Sequence, residues 1–341
     1  MTLVSLWRSQ WPVRSGHAWP WVGLCALAIS LAMALGLGAY EALWSRWADG
    51  GAEVFWHIRA PRVLMGVLAG AALGLSGALI QGLFRNPLAD PGLIGVTGGA
   101  ALGAGLAILM AGQGLLAALG PWALILFAFV GGLLATLLSW WLSHRQGLLS
   151  VPLLLLVGVA VNALAGSGLG LMSYLSTDQQ LRALTFWLLG SLGGSQWDTA
   201  GVCALVVVSA QAWILCQPAH ARALNAMALG EGQARLMGVP VRRVEAACIL
   251  VVALSVGAVT ALTGMVGFVG LLAPHLVRLL MGPDHRHVLP GSALIGACLV
   301  LWADALARTV VAPAELPLGV LTGLLGAPAF VWLLWRRLPS S

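Results

Sequence analysis

The chain has 341 residues, 60% of them hydrophobic and only 8% charged, where soluble domains carry about 25% charge. A water-soluble fold has no way to hide that much apolar surface, so a bilayer is the solvent for most of it. The net charge of +6 comes from arginine alone, and the absence of lysine excludes a P-loop ATPase, whose loop needs lysine at the phosphates. The arginines are scattered between apolar blocks instead of forming a face, which excludes a nucleic-acid surface.

Arg8 and Arg14 precede an apolar block running to about Tyr40. It is too long for a signal-peptide core and reads as a retained first span. Apolar blocks of about 17–25 residues then predict ten transmembrane helices. They are Trp19–Tyr40, Val63–Phe84, Leu93–Ala111, Pro121–Leu142, Val151–Leu175, Thr199–Cys216, Val244–Thr263, Val266–Met281, Leu289–Ala307 and Pro317–Trp335. The eighth is short and interrupted by Pro274. The expected fold is an all-α polytopic membrane protein with a single transmembrane domain over residues 1–341. Its first half covers about 19–216, a cytoplasmic segment about 220–243 and its second half about 244–336.

Arginine placement orients the helices. With a cytoplasmic N-terminus, twelve arginines lie inside: Arg8, Arg14, Arg85, Arg145, Arg222, Arg235, Arg242, Arg243, Arg278, Arg286, Arg336 and Arg337. Five lie outside: Arg46, Arg59, Arg62, Arg182 and Arg308. This satisfies the positive-inside bias and makes both termini cytoplasmic. Trp19, Trp21, Trp44, Trp47, Trp56, Trp140, Trp141, Trp332 and Trp335 cluster near span ends, as an aromatic belt requires. Gly66, Gly70 and Gly74 recur every four residues, as do Gly319 and Gly323, and read as helix–helix contacts in lipid. Gly66–Gly77 followed by Gly99-Ala100 has a faint echo in Gly257–Gly270 followed by Gly296-Ala297, in the manner of an inverted repeat. Cys25, Cys203, Cys216, Cys248 and Cys298 lack metal or redox spacing and read as small buried hydrophobes.

Ala221–Arg243 is the one long internal run too polar to cross a bilayer. It reads either as a handle for a partner or as an ordinary cytoplasmic connector. His285 and His287 fall in a predicted cytoplasmic turn and are expected to be solvated. Asp304 lies close to the outer end of its helix, where Arg308 at i+4 is available to pair with it.

Several stretches occur in a telling order: RAPR (Arg59–Arg62), RNPLADPG (Arg85–Gly92), LGEGQARLMG (Leu229–Gly238) and GFVGLLAPHLVR (Gly267–Arg278). DHR (Asp284–Arg286), ADALAR (Ala303–Arg308) and ELPLGVLTGLLGAP (Glu315–Pro328) follow. Together they resemble the iron-chelate and cobalamin uptake permeases of bacterial ABC importers, the FecCD group, over nearly the whole chain beyond about residue 55. The resemblance implies an inverted-repeat, type II importer permease in the bacterial inner membrane. It would work as a homodimer or pseudodimer with two cytoplasmic ATP-binding subunits and a periplasmic substrate-binding protein. It also implies that Leu229, Gly230, Glu231, Gln233, Ala234, Arg235 and Gly238 couple the permease to the ATPase. Arg59, Arg62 and Arg308 would dock the binding protein, although helix-end anchoring also suits Arg59.

The stretch YLSTDQQLRALTFWLLGSLGG (Tyr174–Gly194) is most like the haem permeases. Haem is then the cargo, with no cofactor held by the chain, no metal site and no catalytic residue expected. Met172, Tyr174 and Arg182 are candidates for the substrate path, which in similar proteins is lined by the fifth and tenth helices. Arg182 suits a haem propionate, or equally a pair with Asp178 four residues earlier. His275 after Pro274 reads as structural, at a helix break. Siderophore and cobalamin are the alternative cargoes. An ion-coupled carrier is a different class, disfavoured because no ionisable side chain sits at mid-span. A membrane enzyme would need a convergent polar set that the spacing does not supply.

Overall fold

The computed structural model describes residues 19–37, 51–111, 118–145 and 148–335. Arg8, Arg14, Tyr40, Trp44, Arg46, Trp47, Arg336 and Arg337 lie outside these residues, as do both termini. The helices are α1 (Trp19–Gly36), α2 (Ala60–Phe84), α3 (Val96–Leu109), α4 (Pro121–Leu142), α5 (Val151–Leu175), α6 (Asp178–Leu189) and α7 (Trp197–Leu215). Then come α8 (Pro218–Ala228), α9 (Glu231–Leu236), α10 (Val241–Thr263), α11 (Val269–Met281), α12 (His285–Thr309) and α13 (Leu318–Trp335). A minimal antiparallel ladder after α4 pairs β1 (His144–Arg145) with β2 (Leu148–Leu149).

Among the described residues, six helices are long and apolar enough to cross a membrane, with α2 counted from its lead-in as Ala52–Phe84. Four shorter apolar helices, α1, α3, α11 and α13, stand beside them. Together they fall on the ten predicted blocks. The edges differ where a polar residue starts the helix. Thus α12 begins at His285 because Asp284 caps it, accepting the Arg286 N–H at 2.9 Å. Although burial pushes the Asp284 carboxyl up, the Arg286 N–H, the Asn225 amide and the nearby cations hold it below the usual carboxylate range.

The eighth block differs in kind. Its break falls before the helix, at Phe268, whose backbone is left-handed (φ 63°), and α11 runs unbroken through Pro274. Proline frees the carbonyl four residues back, here that of Gly270. Gln81 Nε2 donates to that carbonyl at 3.3 Å, so a side chain of α2 replaces the missing backbone donor. His275 is buried in the same turn, inside the helix and not at its break.

α2 and α10 form the centre. α2 packs on α12, α10 and α11, α10 on α4 and α7, and α3 on α4, while α1 lies along α12 and α5 along α3. The α2 contacts are backbone to backbone. A Cβ placed on Gly70 would sit 2.2 Å from the Gly296 oxygen, one on Gly74 2.0 Å from that of Ser292, and one on Gly77 1.9 Å from that of Gly270. The stretches that echo one another in the sequence therefore touch. Gly319 presses on the carbonyls of Met265 and Leu189 as expected, but a Cβ placed on Gly323 meets nothing within 4 Å among the described residues. Burial of the cysteines holds for Cys203 and Cys248 only. Cys25 and Cys216 are exposed, on outward faces that hydropathy does not distinguish from inward ones.

Replacing Gly74 by leucine is expected to force α2 off α12 and cost about 1–3 kcal/mol or more. Gly201→Ala on α7, where an added Cβ meets nothing within 4 Å among the described residues, should not lower stability. The thermal midpoint of the detergent-solubilised protein, read by size-exclusion chromatography, separates the two.

Candidate functional site

The arginines and the Leu229–Gly238 stretch singled out by the sequence gather at the two ends of α2 and α12. Each helix has 25 residues, about 37 Å at 1.5 Å per residue.

At the first end, Arg62 stands in the opening turn of α2, with Asp304 and Arg308 in the closing turns of α12. Arg62 Nε and Nη2 donate to Asp304 Oδ1 at 3.0 and 2.9 Å, and Nη1 and Nη2 donate to Glu315 Oε1 and Oε2, both at 2.9 Å. Arg308 Nε completes the predicted i,i+4 pair with Asp304 at 3.1 Å. The remaining donors cap α1. Arg59 Nη1 donates to the carbonyls of Leu35 (2.6 Å) and Gly36 (3.2 Å), and Arg308 to those of Ala34 (2.9 Å) and Leu37 (3.1 Å). The last four carbonyls of a helix have no partner of their own, and in lipid no water is present to supply one. All three arginines are buried and engaged within the chain. The sequence offers Asp304 only as a partner of Arg308 and gives Glu315 no role of its own. Its one signal was an acidic residue stranded beside an apolar helix.

At the opposite end lies the segment that breaks the hydropathy. α8 buries Leu224 and Met227, and α9 follows after Gly230, whose φ of 117° only glycine adopts readily. Within α9, Ala234 is fully buried and anchors the turn. Glu231 pairs with Arg235 (3.6 Å) and with Arg85 at the end of α2 (3.7 Å). Gln233 and Arg235 are exposed, and Gly238 (φ 79°) ends the motif. Three large apolar side chains, Leu229, Leu236 and Met237, project outward, Leu236 with 84% of its surface exposed. An apolar tip ringed by charge is the composition of a protein-contact surface. Leu236 and Met237 were part of the recognised stretch but were not assigned the role.

Asn225 of α8 ties this segment to α12, a contact the sequence did not suggest. Its Oδ1 accepts from the His285 N–H (3.0 Å) and lies 2.7 Å from His285 Nδ1, while its Nδ2 donates to Asp284 (2.7 Å). His285 is therefore buried, against the expectation of a solvated turn. The span starts four residues earlier than hydropathy indicates and carries the ring inward under Gly82.

The structure does not gather the three path candidates. Met172 is half-buried with its sulfur over Gly105 of α3, whereas Tyr174 is 86% exposed and Arg182 is exposed. The Asp178–Arg182 pair permitted by the spacing is not formed. Thr177 and Gln180 instead make a capping box for α6, and Gln180 Nε2 donates to the carbonyl of Leu109 at 3.0 Å. α5 is the least buried of the long helices.

A family model described as the FecCD transport family matches residues 24–336. The chain belongs to the FecCD transport family. This FecCD chain is 45% identical over 312 residues to the hemin transport system permease protein HmuU of Yersinia pestis, covering 92% of the chain and 90% of that relative. It is 42% identical over 320 residues to the vitamin B12 import system permease protein BtuC of Salmonella paratyphi A, covering 93% and 95%. A solved inward-facing metal-chelate type ABC transporter superposes with a TM-score of 0.84 at 31% identity, over 93% of the chain and 98% of that structure. PsaBC from Streptococcus pneumoniae shares the fold, with a TM-score of 0.54 at 17% identity. The FecCD chain is thus a multi-pass transport permease and not a catalytic subunit.

In this permease, Asp304→Ala would leave buried Arg308 without a carboxylate and Arg62 with Glu315 alone, and removing one partner of a buried pair costs about 3–5 kcal/mol. The expected result is loss of the folded, monodisperse species on chromatography, with Asp304→Asn milder.

Proposed function

We propose that the protein is the transmembrane subunit of an ATP-driven haem importer in the bacterial inner membrane, with both termini cytoplasmic. A periplasmic binding protein delivers haem at the Arg59–Arg62–Arg308 end. Two ATP-binding subunits grip the Leu229–Gly238 segment, and a second copy completes the path along α5 and α13. Transport is alternating access. Nucleotide-driven closure of the partner subunits moves α9 as a unit, and the helices tied to it re-open the path on the other side. The cargo is carried without chemical change, and the chain holds no cofactor of its own.

The observation that carries this reading is the placement of an apolar-tipped polar segment and an arginine cluster at opposite ends of the same two helices. Kinship supports it, and so does the broad outward apolar face of α5 and α13. Haem is favoured over cobalamin by the higher identity to a hemin permease and by the TDQQLR stretch (Thr177–Arg182). Arg182, exposed and without Asp178, remains available to a propionate.

Proteoliposomes holding the permease and its ATP-binding subunits should accumulate haem, with ATP, from a haem-loaded binding protein. Uptake from a cobalamin-loaded one instead would move the assignment to cobalamin. Uptake without any ATP-binding subunit would overturn the importer reading. For the coupling segment, Leu236→Arg should abolish co-purification of the ATP-binding subunits while the permease itself remains folded and monodisperse.

A further inference from the structure

Arg62 is gripped by two carboxylates that differ in one decisive respect. The Asp304 side chain is 2% exposed and shared with Arg308, whereas that of Glu315 is 45% exposed and stands in the non-helical link between α12 and α13. Loss of Asp304 would leave buried Arg308 with no carboxylate and Arg62 with Glu315 alone. Glu315 is already half in water, and its withdrawal leaves Arg62 still held by Asp304. Three arginines face two carboxylates, an excess of one positive charge that rises to two when Glu315 swings out. The Glu315 side of the fork is the one that reaches solvent, and Gly193 flanks it. A Cβ placed on Gly193 would lie 3.6 Å from Glu315 Oε2 and 3.9 Å from Arg62 Nη1, so glycine keeps that edge clear. Val310 and Val311, exposed on the same link, supply an apolar rim.

We propose that Glu315 is a place-holder. It occupies the Arg62 fork in the undocked permease and is displaced by a surface carboxylate of the docking protein, which inherits both Nη contacts. This rests on the docking role given above to the arginine cluster and explains how buried, internally satisfied arginines serve an external partner. Affinity is then a difference between two carboxylate contacts at one guanidinium. Docking stays weak enough to reverse, while the excess charge steers the encounter. Displacement also has a mechanical outlet. Leu316 N–H donates to the Ala307 carbonyl (3.0 Å) and Leu318 N–H to that of Gly190 (2.9 Å), so Glu315 sits on the short tether that positions the start of α13.

The test is binding of a haem-loaded periplasmic binding protein to the nanodisc-embedded permease, comparing wild type with Glu315→Gln, Glu315→Asp and Arg62→Lys across a salt series. A vacated fork should bind more tightly, by about fivefold or more for Glu315→Gln, with a steeper salt dependence and Glu315→Asp in between. Glu315→Gln that binds equally or more weakly, while Arg62→Lys weakens a salt-sensitive complex, overturns the place-holder and leaves docking intact. Binding indifferent to salt and to every variant overturns both. Thermal midpoints of the variants, read in parallel, separate altered docking from altered folding.

Discussion

The contact on which the rest depends is the seam where α2 and α12 touch through their backbones. In lipid there is no hydrophobic drive to bring two helices together, and association comes from close packing. Gly70 and Gly74 let the two backbones meet at Gly296 and Ser292 with no side chain between them. Once that seam is closed, both of its ends are set. Arg62 is brought to Asp304 at one, and His285 is tucked beneath Gly82 at the other.

The polar groups follow the same economy, each doing a duty that lipid would leave undone. Arg59 and Arg308 terminate α1 by taking up its orphan carbonyls, and Gln81 takes up the carbonyl that Pro274 releases. Arg278 in turn donates to Gln81, which extends the chain of contacts from α11 into α2. Asn225 fastens the peripheral α8 to the capped start of α12. Most of these join elements far apart in sequence, so the bundle is laced by side-chain hydrogen bonds as well as by packed surfaces. Ionic groups concentrate at the ends of the spans, where the low dielectric of the bilayer interior is least punishing.

The asymmetry of burial carries functional meaning. α2 and α10 are enclosed by neighbours, whereas α5 turns most of its apolar surface outward. Lipid can cover such a face, and so can a second copy; the proposed path along α5 and α13 requires the second. Gly166 and Gly170 of α5, and Gly323 of α13, have open space beside them among the described residues. These are positions of close-packing residues with nothing yet packed against them.

From its sequence alone the chain already declared a membrane protein, the positions of its apolar helices, its lack of lysine, and its family. Those properties are local or additive: hydropathy sums over a window, the missing lysine is a count, and RAPR or LGEGQARLMG is read off as it stands. The tertiary structure decided which partners the ionisable groups take. That Arg62 meets Glu315, 253 residues away, or that Asn225 meets His285, depends on how two helices cross, and no window along the chain contains both members. It likewise decided that Pro274 sits inside a helix and that Gly323 faces outward. A proline's effect depends on whether a neighbour supplies the missing donor, and a glycine's on whether another backbone lies opposite. Both are facts of the packed bundle, which hydrophobic periodicity cannot encode when every face of a helix is apolar.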